Sequence, residues 1–485
     1  MPKAEQQIAQ TVLVVDLDET LSRTDTLHEA LINTLVSGPA AFLWRLLKGR
    51  PRTKMGFKSL LADSSVADPG YLVFNESVVE FIKQARGAGR KVVLVSASDC
   101  RQVTAVADYL GLFDEAFGTG APEVEGRNLG GQHKADFLVA RYGVKGFDYI
   151  GDCSRDIPVW KLADKAYAVE PSRGLVSTAM RSDVTLEAVG SGTEGAVSYL
   201  RALRPHQWVK NILIFLPILA AQNADMFWLA ILAFVLFSLT ASSVYVLNDL
   251  VDLPSDRQHP RKCSRPFAAG SIPLSHGVAM GAGLLGLSFL VSLFVMPEIF
   301  SLVLALYFAM TVAYSFVLKR KLIVDVIMLA GLYTMRIIAG AAATGIVPSP
   351  WLLAFSVFLF YALAGIKRQA ELIDQARQNK DSTPGRGYLT SDVSVIQMIS
   401  ISSGQAAVLV FALYLYSPSV AELYTTPEVL WLICPLLLYW LSRISVLTHR
   451  GLMHDDPIIF AAKDKVSLIT FVVVSIIVFA AEWNW

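Results

Sequence analysis

Carboxylates, a hydroxyl and a lysine follow short β-type runs in the first third of the chain. The earliest run, 12–15, has a buried-strand pattern and ends in Asp16 and Asp18. Residues two apart share a face of an extended chain, so these two carboxylates converge on one point. Such a pair can hold Mg²⁺ while one carboxylate oxygen attacks phosphorus. Because an Asp-x-Asp pair alone is also common in solvated turns, its meaning depends on the residues that accompany it.

Further residues that suit phosphate chemistry come after later elements of the same region. A second strand pattern at 91–95 leads to Ser96, whose hydroxyl can bind a phosphate oxygen, and Lys134 can neutralise phosphate charge. A third short strand leads to Asp152 and Asp156. In an open parallel sheet, ligand sites lie at the carboxyl ends of the strands. We therefore expect an α/β fold that brings these side chains to one edge of a sheet.

In this order, the four motifs resemble the haloacid-dehalogenase (HAD) phosphatase superfamily over about residues 11–180. The resemblance implies a Rossmann-like α/β domain in which Asp16 is the nucleophile that forms an aspartyl-phosphate. It also implies that Asp18 is the general acid/base and that Asp156 supports the site. By the same resemblance, Ser96 and Lys134 bind phosphate, and the Mg²⁺ ligands are Asp16, Asp18 and Asp152.

The segment 22–75 stands where this superfamily places a helical cap. Its stretches 43–45 and 48–50 mix basic and apolar residues, which indicates either a basic, amphipathic surface or an ordinary solvated helix face. An inactive relative kept as a scaffold would be the alternative for the whole region, although no signature residue is missing from it.

The composition of the 485-residue chain points away from a purely soluble enzyme. Charged residues make up 17%, against about 25% in ordinary soluble proteins, and hydrophobic residues reach 54%. The 42 basic and 41 acidic residues give a net charge of +1, which argues against a nucleic-acid partner. The four cysteines are far apart in sequence, so neither a CxxC metal site nor a disulfide framework is indicated. The N-terminus has no signal-peptide core, so we expect the first half to stay in the cytoplasm.

From about Gln207 onward, apolar runs dominate, and most are long enough to span a bilayer as helices. We predict nine membrane spans, of which the first and sixth are short. They run over 207–222, 225–247, 274–295, 297–317, 322–345, 350–366, 394–416, 427–446 and 466–483.

The charges of the loops between these stretches predict the orientation of the chain. Basic residues concentrate in loops near 257–265, 319–321, 367–386 and 450–465. The alternate loops, near 222–225, 296–298, 346–350 and 417–426, contain neither Lys nor Arg. This asymmetry is the positive-inside pattern, so we expect the basic loops on the cytoplasmic face of a bacterial inner membrane and the C-terminus outside.

An acidic cluster follows the second predicted span. Asn248 and Asp249 begin it, and Asp252 and Asp256 follow at spacings of 3 and 4, which place the three carboxylates on one helix face. Crowded carboxylates repel one another unless a cation lies between them, and Mg²⁺ bridging a diphosphate fits because hard cations prefer oxygen ligands. The basic run 257–266, including Lys262 and Arg265, can hold the same anion. A solvated juxtamembrane loop would explain the basic residues but not the three aligned carboxylates.

Two ionisable residues fall inside the fifth predicted span. Asp325 and Arg336 are 11 residues apart, or three helical turns, so they point the same way on a helix. Charged groups at membrane depth are costly and indicate function by default. We interpret both as candidates for phosphate binding, and a structural ion pair inside the helical bundle is the alternative.

The Asp-rich motif and the nine spans resemble the UbiA superfamily of intramembrane prenyltransferases over about 200–485. The detail is similar to its decaprenyl-phosphate phosphoribosyltransferase branch. The matching segments are 204–211, 256–260, 265–270, Tyr314-Ser315 with Lys319, and 367–372. Ordinary prenyltransferases have a second DxxxD motif, and here the corresponding stretch offers Asp325 alone.

The resemblance implies Mg²⁺-dependent transfer of 5-phosphoribose from phosphoribosyl diphosphate to a polyprenyl phosphate. The metal ligands would be Asn248, Asp249, Asp252 and Asp256. Lys262 and Arg265 would bind the donor's phosphates, while Lys210, Lys319 and Arg336 are candidates for the lipid phosphate. We further expect the HAD domain to remove the 5-phosphate from the product.

These motifs predict a bifunctional membrane enzyme made of a HAD-like phosphatase domain at 1–185, a flexible linker at 186–200 and an all-α UbiA-like domain at 201–485. One rival is a prenyltransferase that alkylates an aromatic acceptor with prenyl diphosphate. A second rival is a membrane scaffold or transporter with a vestigial HAD domain. Polyprenyl length and oligomeric state stay open, with a homo-oligomer among the states allowed.

Overall fold

The computed structural model describes residues 11–37, 54–63, 67–124, 127–190, 195–221, 225–380, 386–453 and 456–482. The chain divides into two compact units, of which the first is Met1–Ala202 with Val246–Met280. The second is Leu203–Tyr245 with Gly281–Trp485. The Asp-rich segment therefore belongs to the same compact unit as the α/β part.

The first unit is built on a six-stranded sheet in which every neighbouring pair of strands is parallel, with the order β3-β2-β1-β4-β5-β6. Its strands are β1 Val12–Val15, β2 Val92–Asp99, β3 Glu115–Thr119, β4 Phe147–Gly151, β5 Ala166–Val169 and β6 Leu186–Val189. Successive residues of one strand pack into different cores, as the period of two requires: Leu13 belongs to one core cluster and Val14 to the other. Helices cover both faces of the sheet, so the predicted α/β fold is confirmed.

Several helices of the α/β part begin at a side-chain cap; Asn75, for example, accepts a hydrogen bond from the Ser77 amide. They are α1 Thr26–Ser37, α2 Lys54–Ala62, α3 Glu76–Gly87, α4 Cys100–Leu110, α5 Gln132–Tyr142, α6 Ile157–Leu162 and α7 Arg173–Met180.

The segment predicted as a cap leaves the α/β part and returns to it at one place. Ser22 and Phe74 form an antiparallel bridge, and α1 and α2 lie between them. The mixed basic and apolar stretches at 43–45 and 48–50 fall outside the described residues.

The Asp-rich segment lies at the junction of two helices. After the sheet, the chain forms α8 Gly195–Leu203. The junction lies further on, where α10 Phe227–Val251 is followed by α11 Leu253–Gln258. Asp252 is the residue between α10 and α11, and Pro254 stands in the first turn of α11, where its missing N–H breaks no helical hydrogen bond. The amides of Asp252 and Asp256 still donate to the carbonyls four residues earlier, so the predicted helical register continues across the junction.

The second unit is helical, and eight helices among the described residues are long and apolar enough to cross a membrane. In addition to α10, the helices are α9 Leu216–Ala221, α12 Leu274–Val295, α13 Glu298–Phe316, α14 Val324–Thr344, α15 Pro350–Arg377, α16 Val393–Leu415, α17 Pro418–Leu423, α18 Ile433–His449, α19 Pro457–Lys463 and α20 Lys465–Glu482. The predicted all-α membrane architecture is confirmed, with eight such helices where the sequence predicted nine.

The difference in number comes from the first predicted stretch, 207–222. It consists of a 3-10 segment, Pro205–Phe215, followed by the short helix α9, with Pro217 in its first turn. The 3-10 segment packs tightly against α14, because a Cβ added to Gly340 would lie 1.9 Å from the Ile214 carbonyl oxygen. The sixth stretch is longer than predicted, since α15 runs on to Arg377 and brings Lys367 and Arg368 into the helix.

Candidate functional sites

The predicted phosphoryl-transfer residues meet at the carboxyl ends of β1, β2 and β4. Lys134 Nζ lies 3.0 Å from Asp16 Oδ2 and donates a 2.8 Å hydrogen bond to the Tyr149 hydroxyl. That hydroxyl donates in turn to Asp156 Oδ1 at 2.8 Å. Asp152 is tied to the same group, since its amide donates to Asp156 Oδ2 at 3.2 Å. The sheet therefore brings together residues that are more than 130 positions apart.

Asp18 is held by four hydrogen bonds. The amide and hydroxyl of Thr26 donate to Oδ1 at 2.8 and 2.6 Å, while the hydroxyls of Ser96 and Ser98 donate to Oδ2 at 3.1 and 2.6 Å. These donors fix the orientation of the carboxylate, which suits a group that exchanges a proton with substrate. Ser96 thus contacts Asp18 directly. The backbone places Asp18 through a turn in which Glu19 has φ +58°.

Crowding of carboxylates changes their protonation. Burial raises the pKa of Asp16 to about 6, and the charges of Asp156 and Asp18 act in the same direction against the opposing Lys134 ammonium. Burial and the neighbouring Asp156 and Asp16 charges raise the pKa of Asp152 to about 8. A divalent cation would relieve this repulsion, and ligand atoms of Asp152, Cys153 and Asp156 lie within 4.8 Å of one another. The residues therefore fit a hard cation such as Mg²⁺, which prefers carboxylate oxygens.

The Asp-rich segment gathers two buried carboxylates around one arginine. Arg265 Nη1 lies 3.1 Å from Asp249 Oδ1 and 2.5 Å from Asp256 Oδ2. Asp256 Oδ1 is buried, accepts no hydrogen bond from the described residues, and lies 3.7 Å from Lys262 Nζ. Asp252, at the junction of α10 and α11, is half-buried. The two carboxylates contact the same Arg265 nitrogen, and their oxygens are the ligand type that a hard cation such as Mg²⁺ prefers.

Arg257 differs from the other basic residues of the run. We predicted that the run as a whole holds an anion, whereas the Arg257 guanidinium pairs with Glu29, 2.7 Å from Oε1 and 2.9 Å from Oε2. It also donates to the carbonyl oxygens of Tyr71 and Ala268. Its donors are committed to the protein, so Arg257 does not fit the predicted anion-binding role of the run.

In the second unit, a buried aspartate collects several donors. Asp456 Oδ2 accepts hydrogen bonds from Lys210 Nζ at 2.8 Å, Lys367 Nζ at 3.0 Å and the Tyr333 hydroxyl at 2.7 Å. Lys210 was predicted from sequence as a phosphate ligand, whereas Lys367 was noted as a loop charge and as part of the matching segment 367–372, without a binding role, and Asp456 was missed. The available signal was an acidic residue directly before Pro457 in a loop between spans.

Arg336 lies close to this cluster, near the Tyr333 ring that Lys210 also approaches. Its guanidinium carbon is 5.4 Å from the centre of the Tyr333 ring, and Lys210 Nζ is 5.8 Å from that centre. Its hydrogen-bond partners are neutral oxygens: Asn211 Oδ1 at 2.9 Å, the Tyr307 hydroxyl and the Leu332 carbonyl. None of these partners among the described residues carries a negative charge, which favours the binding of an anion.

Asp325 has a different partner from the one its spacing suggested. It pairs with Arg368 at 2.6 Å, and both side chains are fully buried. The Tyr388 hydroxyl donates to Asp325, and Arg386 lies 3.5 Å away. Periodicity put Asp325 and Arg336 on one helix face but could not show the neighbouring helix that carries Arg368. The contacts of Asp325 favour a structural ion pair.

Lys319, which was predicted as a candidate for the lipid phosphate, lies in the partly buried turn Leu318–Arg320.

The parallel α/β sheet with an aspartyl site and the polytopic helical unit define a membrane protein of two parts. Residues 212–463 match the UbiA prenyltransferase family, and residues 13–161 match the family of haloacid dehalogenase-like hydrolases. The chain belongs to the UbiA prenyltransferase family and carries a HAD-like domain.

Three relatives show how far the similarity extends. Uncharacterized protein y4nM of Sinorhizobium fredii is 36% identical over 464 residues, or 94% of this chain and 88% of that protein. Nodulation protein NoeC of Azorhizobium caulinodans is 38% identical over 278 residues, covering 56% of this chain and 89% of that protein. Decaprenyl-phosphate phosphoribosyltransferase of Mycobacterium tuberculosis is 37% identical over 202 residues, covering 40% of this chain and 65% of that protein. Similarity to y4nM therefore spans both parts of the chain.

Proposed function

We propose that the chain is a bifunctional enzyme of a bacterial inner membrane. The UbiA part transfers 5-phosphoribose from phosphoribosyl diphosphate to a polyprenyl phosphate, and the HAD-like part removes the 5-phosphate from the lipid-linked product. The observation that carries the proposal is the pairing of Asp249 and Asp256 around Arg265, at the end of a membrane helix, in a chain similar to decaprenyl-phosphate phosphoribosyltransferase.

The Asp-rich segment supplies the donor site. Asn248, Asp249, Asp252 and Asp256 would hold Mg²⁺ on the diphosphate. When bound, the ion stabilises the negative charge that develops on the leaving pyrophosphate as the anomeric C–O bond breaks. Arg265 lies against Asp249 and Asp256, and Lys262 lies near Asp256. Both cations can turn to the diphosphate oxygens, because their side chains are the more exposed members of these pairs. Arg suits this role because its planar donors match phosphate oxygens.

The basic cluster of the second unit supplies the acceptor site. Lys210, Arg336 and Lys367 contribute three positive charges, and Asp456 contributes one carboxylate. The excess of positive charge in a buried setting favours an ionised lipid phosphate. That phosphate is already a nucleophile, so the cluster has to orient it rather than remove a proton.

The HAD-like site matches the group that transfer leaves behind. The product retains a phosphomonoester on ribose C5, and Asp16 can attack such a phosphorus while Lys134 and Ser96 neutralise or bind the phosphate. Asp18, held by its four donors, would protonate the leaving sugar hydroxyl and then activate water to release phosphate from Asp16. The positive-inside pattern of the basic loops supports a cytoplasmic position for both sites.

Incubation of purified protein with labelled phosphoribosyl diphosphate, polyprenyl phosphate and Mg²⁺ tests both steps. We expect the wild-type protein to release pyrophosphate and inorganic phosphate, and the Asp16→Asn variant to accumulate the 5-phosphorylated lipid at a normal transfer rate. Mass spectrometry of the lipid separates the two products. Identical phosphorylated lipid from both proteins would contradict the phosphatase step, and transfer from prenyl diphosphate to an aromatic acceptor instead would contradict the transferase step.

A further inference from the structure

Arg257 links the Asp-rich segment to the α/β part within the first unit. Its guanidinium forms a two-pronged ion pair with Glu29 of α1, and both side chains are at least nine-tenths buried. The Glu29 carboxylate also accepts a hydrogen bond from the buried Thr24 hydroxyl. A buried carboxylate with this many partners is held in one orientation, and so is the arginine that it binds.

Other contacts support the same attachment. Arg257 donates at 2.7 Å to the carbonyl of Tyr71, at the far end of the segment that contains α1. A Cβ built on Gly270 would lie 2.7 Å from Arg23 Cβ, so these two segments of the chain approach each other at a distance that requires glycine. A cavity of about 350 Å³ lies beside this attachment and is lined by both Arg23 and Arg257.

The attachment lies next to both candidate sites in sequence and contact. Arg257 directly follows Asp256, one of the two buried carboxylates around Arg265. At the other end, Thr26 of α1 donates twice to Asp18, and Glu29 lies one helical turn further along α1. A displacement of α1 would therefore move Arg257, which directly follows Asp256.

We propose that Glu29 is a positioning residue for the transferase reaction: through Arg257, the HAD-like part holds the Asp-rich segment in the geometry that binds Mg²⁺ and diphosphate. The proposal rests on the proposed function of the Asp-rich segment. It makes the soluble part a structural component of the donor site, in addition to any phosphatase activity.

The Glu29→Gln variant tests the proposal by enzyme kinetics and, independently, by limited proteolysis. We expect its KM for Mg·phosphoribosyl diphosphate to rise about 10-fold, as for other residues that orient metal ligands, with the KM for polyprenyl phosphate unchanged. Glu80→Gln is the matched control, because Glu80 is exposed on α3 and accepts only from Gln84 among the described contacts. A lower thermal stability of Glu29→Gln with an unchanged donor KM would overturn the proposal.

Limited proteolysis gives a measurement that needs no turnover. Arg261 is exposed in the Asp-rich segment, so trypsin cleavage there, located by mass spectrometry, reports how firmly the segment is held. We expect Mg²⁺ with inorganic pyrophosphate to slow this cleavage, and the half-protecting Mg²⁺ concentration to be about 10-fold higher in Glu29→Gln than in wild type. Equal protection of both proteins would refute the positioning role. Failure of the wild-type protein to transfer phosphoribose would refute the proposed function, while the protection measurement still decides the role of Glu29.

A double variant tests whether both residues act through one contact. If Glu29 and Arg257 act only through each other, the Glu29→Gln/Arg257→Gln variant should show a donor KM no higher than the larger single effect, about 10-fold. Independent roles would multiply to about 100-fold, and that result would contradict the proposal.

Discussion

Ion pairs of buried aspartates differ in the exposure of the cation, as the Asp-rich segment and the Asp325–Arg368 pair show. In the Asp-rich segment, Asp249 and Asp256 are 2% and 1% exposed, but their partner Arg265 is 27% exposed. In the second unit, Asp325 and Arg368 are both 0% exposed. An exposed cation can leave its carboxylate for a ligand at little cost, whereas a fully buried one cannot. Carboxylates that are buried to the same degree can therefore differ in role. Those paired with a partly exposed cation are suited to ligand binding, and those paired with a buried cation are suited to stabilising the fold.

The largest effect is expected from breaking the fully buried pair. Arg368→Met should destabilise the protein by about 3–5 kcal/mol, because it leaves the Asp325 carboxylate buried with its main cation removed. Thermal unfolding in detergent measures the loss. The double variant Asp325→Asn/Arg368→Met should recover a large part of it, and a double variant as unstable as the single would show that Arg368 acts through other contacts.

Removing a carboxylate of the Asp-rich segment should show the opposite behaviour. We expect Asp256→Asn to lower phosphoribosyl transfer by about 100-fold or more, since a metal contributes several kcal/mol of transition-state stabilisation. The thermal unfolding temperature should stay close to that of the wild type. An unfolding loss as large as that of Arg368→Met, with transfer preserved in the folded fraction, would place this segment among the structural ion pairs.

Arg336 lies between these two extremes, because it is buried but has neutral partners. If its charge binds the lipid phosphate, Arg336→Leu should raise the KM for polyprenyl phosphate about 10-fold, the equivalent of about 1.4 kcal/mol, and leave the donor KM unchanged. Arg336→Lys retains the charge and should lose less. Lower thermal stability with both KM values preserved would instead indicate a purely structural role.

The strand-end carboxylates, which are crowded rather than paired, should give the smallest change when stability is compared over a single pH unit. With its pKa raised to about 8, folded metal-free Asp152 holds a proton that the unfolded chain releases near pH 4, so the stability of the metal-free protein should fall as pH rises between these values. The slope from one group is at most about 1.4 kcal/mol per pH unit. Mg²⁺ would replace the proton, so its stabilising effect should grow from pH 6 to pH 8. Thermal unfolding with and without Mg²⁺ measures this, and Asp152→Asn should lack the trend.

How much could be predicted from the sequence depends on how far apart the interacting residues are. Asp16 and Asp18 follow a buried strand directly, so their convergence was predictable, and so was the helical register of Asp249 and Asp256. The α/β sheet and the helical unit also follow from local periodicity. Ser98 could have been found as well, since it lies two residues after Ser96 and shares its face of the strand.

The partners of the buried charges could not be predicted in the same way. Asp325 and Arg336 share a helix face by spacing, yet Asp325 pairs with Arg368 of the next helix. Helix periodicity gives the direction of a side chain but not the helix that packs against it. The break of the first predicted span into a 3-10 segment and α9 also depends on packing, because Gly340 admits the Ile214 backbone.

The two-part organisation, the membrane character and the types of residue available for phosphate and metal chemistry follow from the amino-acid sequence, because composition and short-range spacing encode all three. Which charges meet depends instead on tertiary packing. Glu29 and Arg257 are 228 residues apart, and Lys210 and Asp456 are 246 apart. No local pattern encodes such pairs, since they form only when packing of whole elements brings their side chains together and removes water from around them.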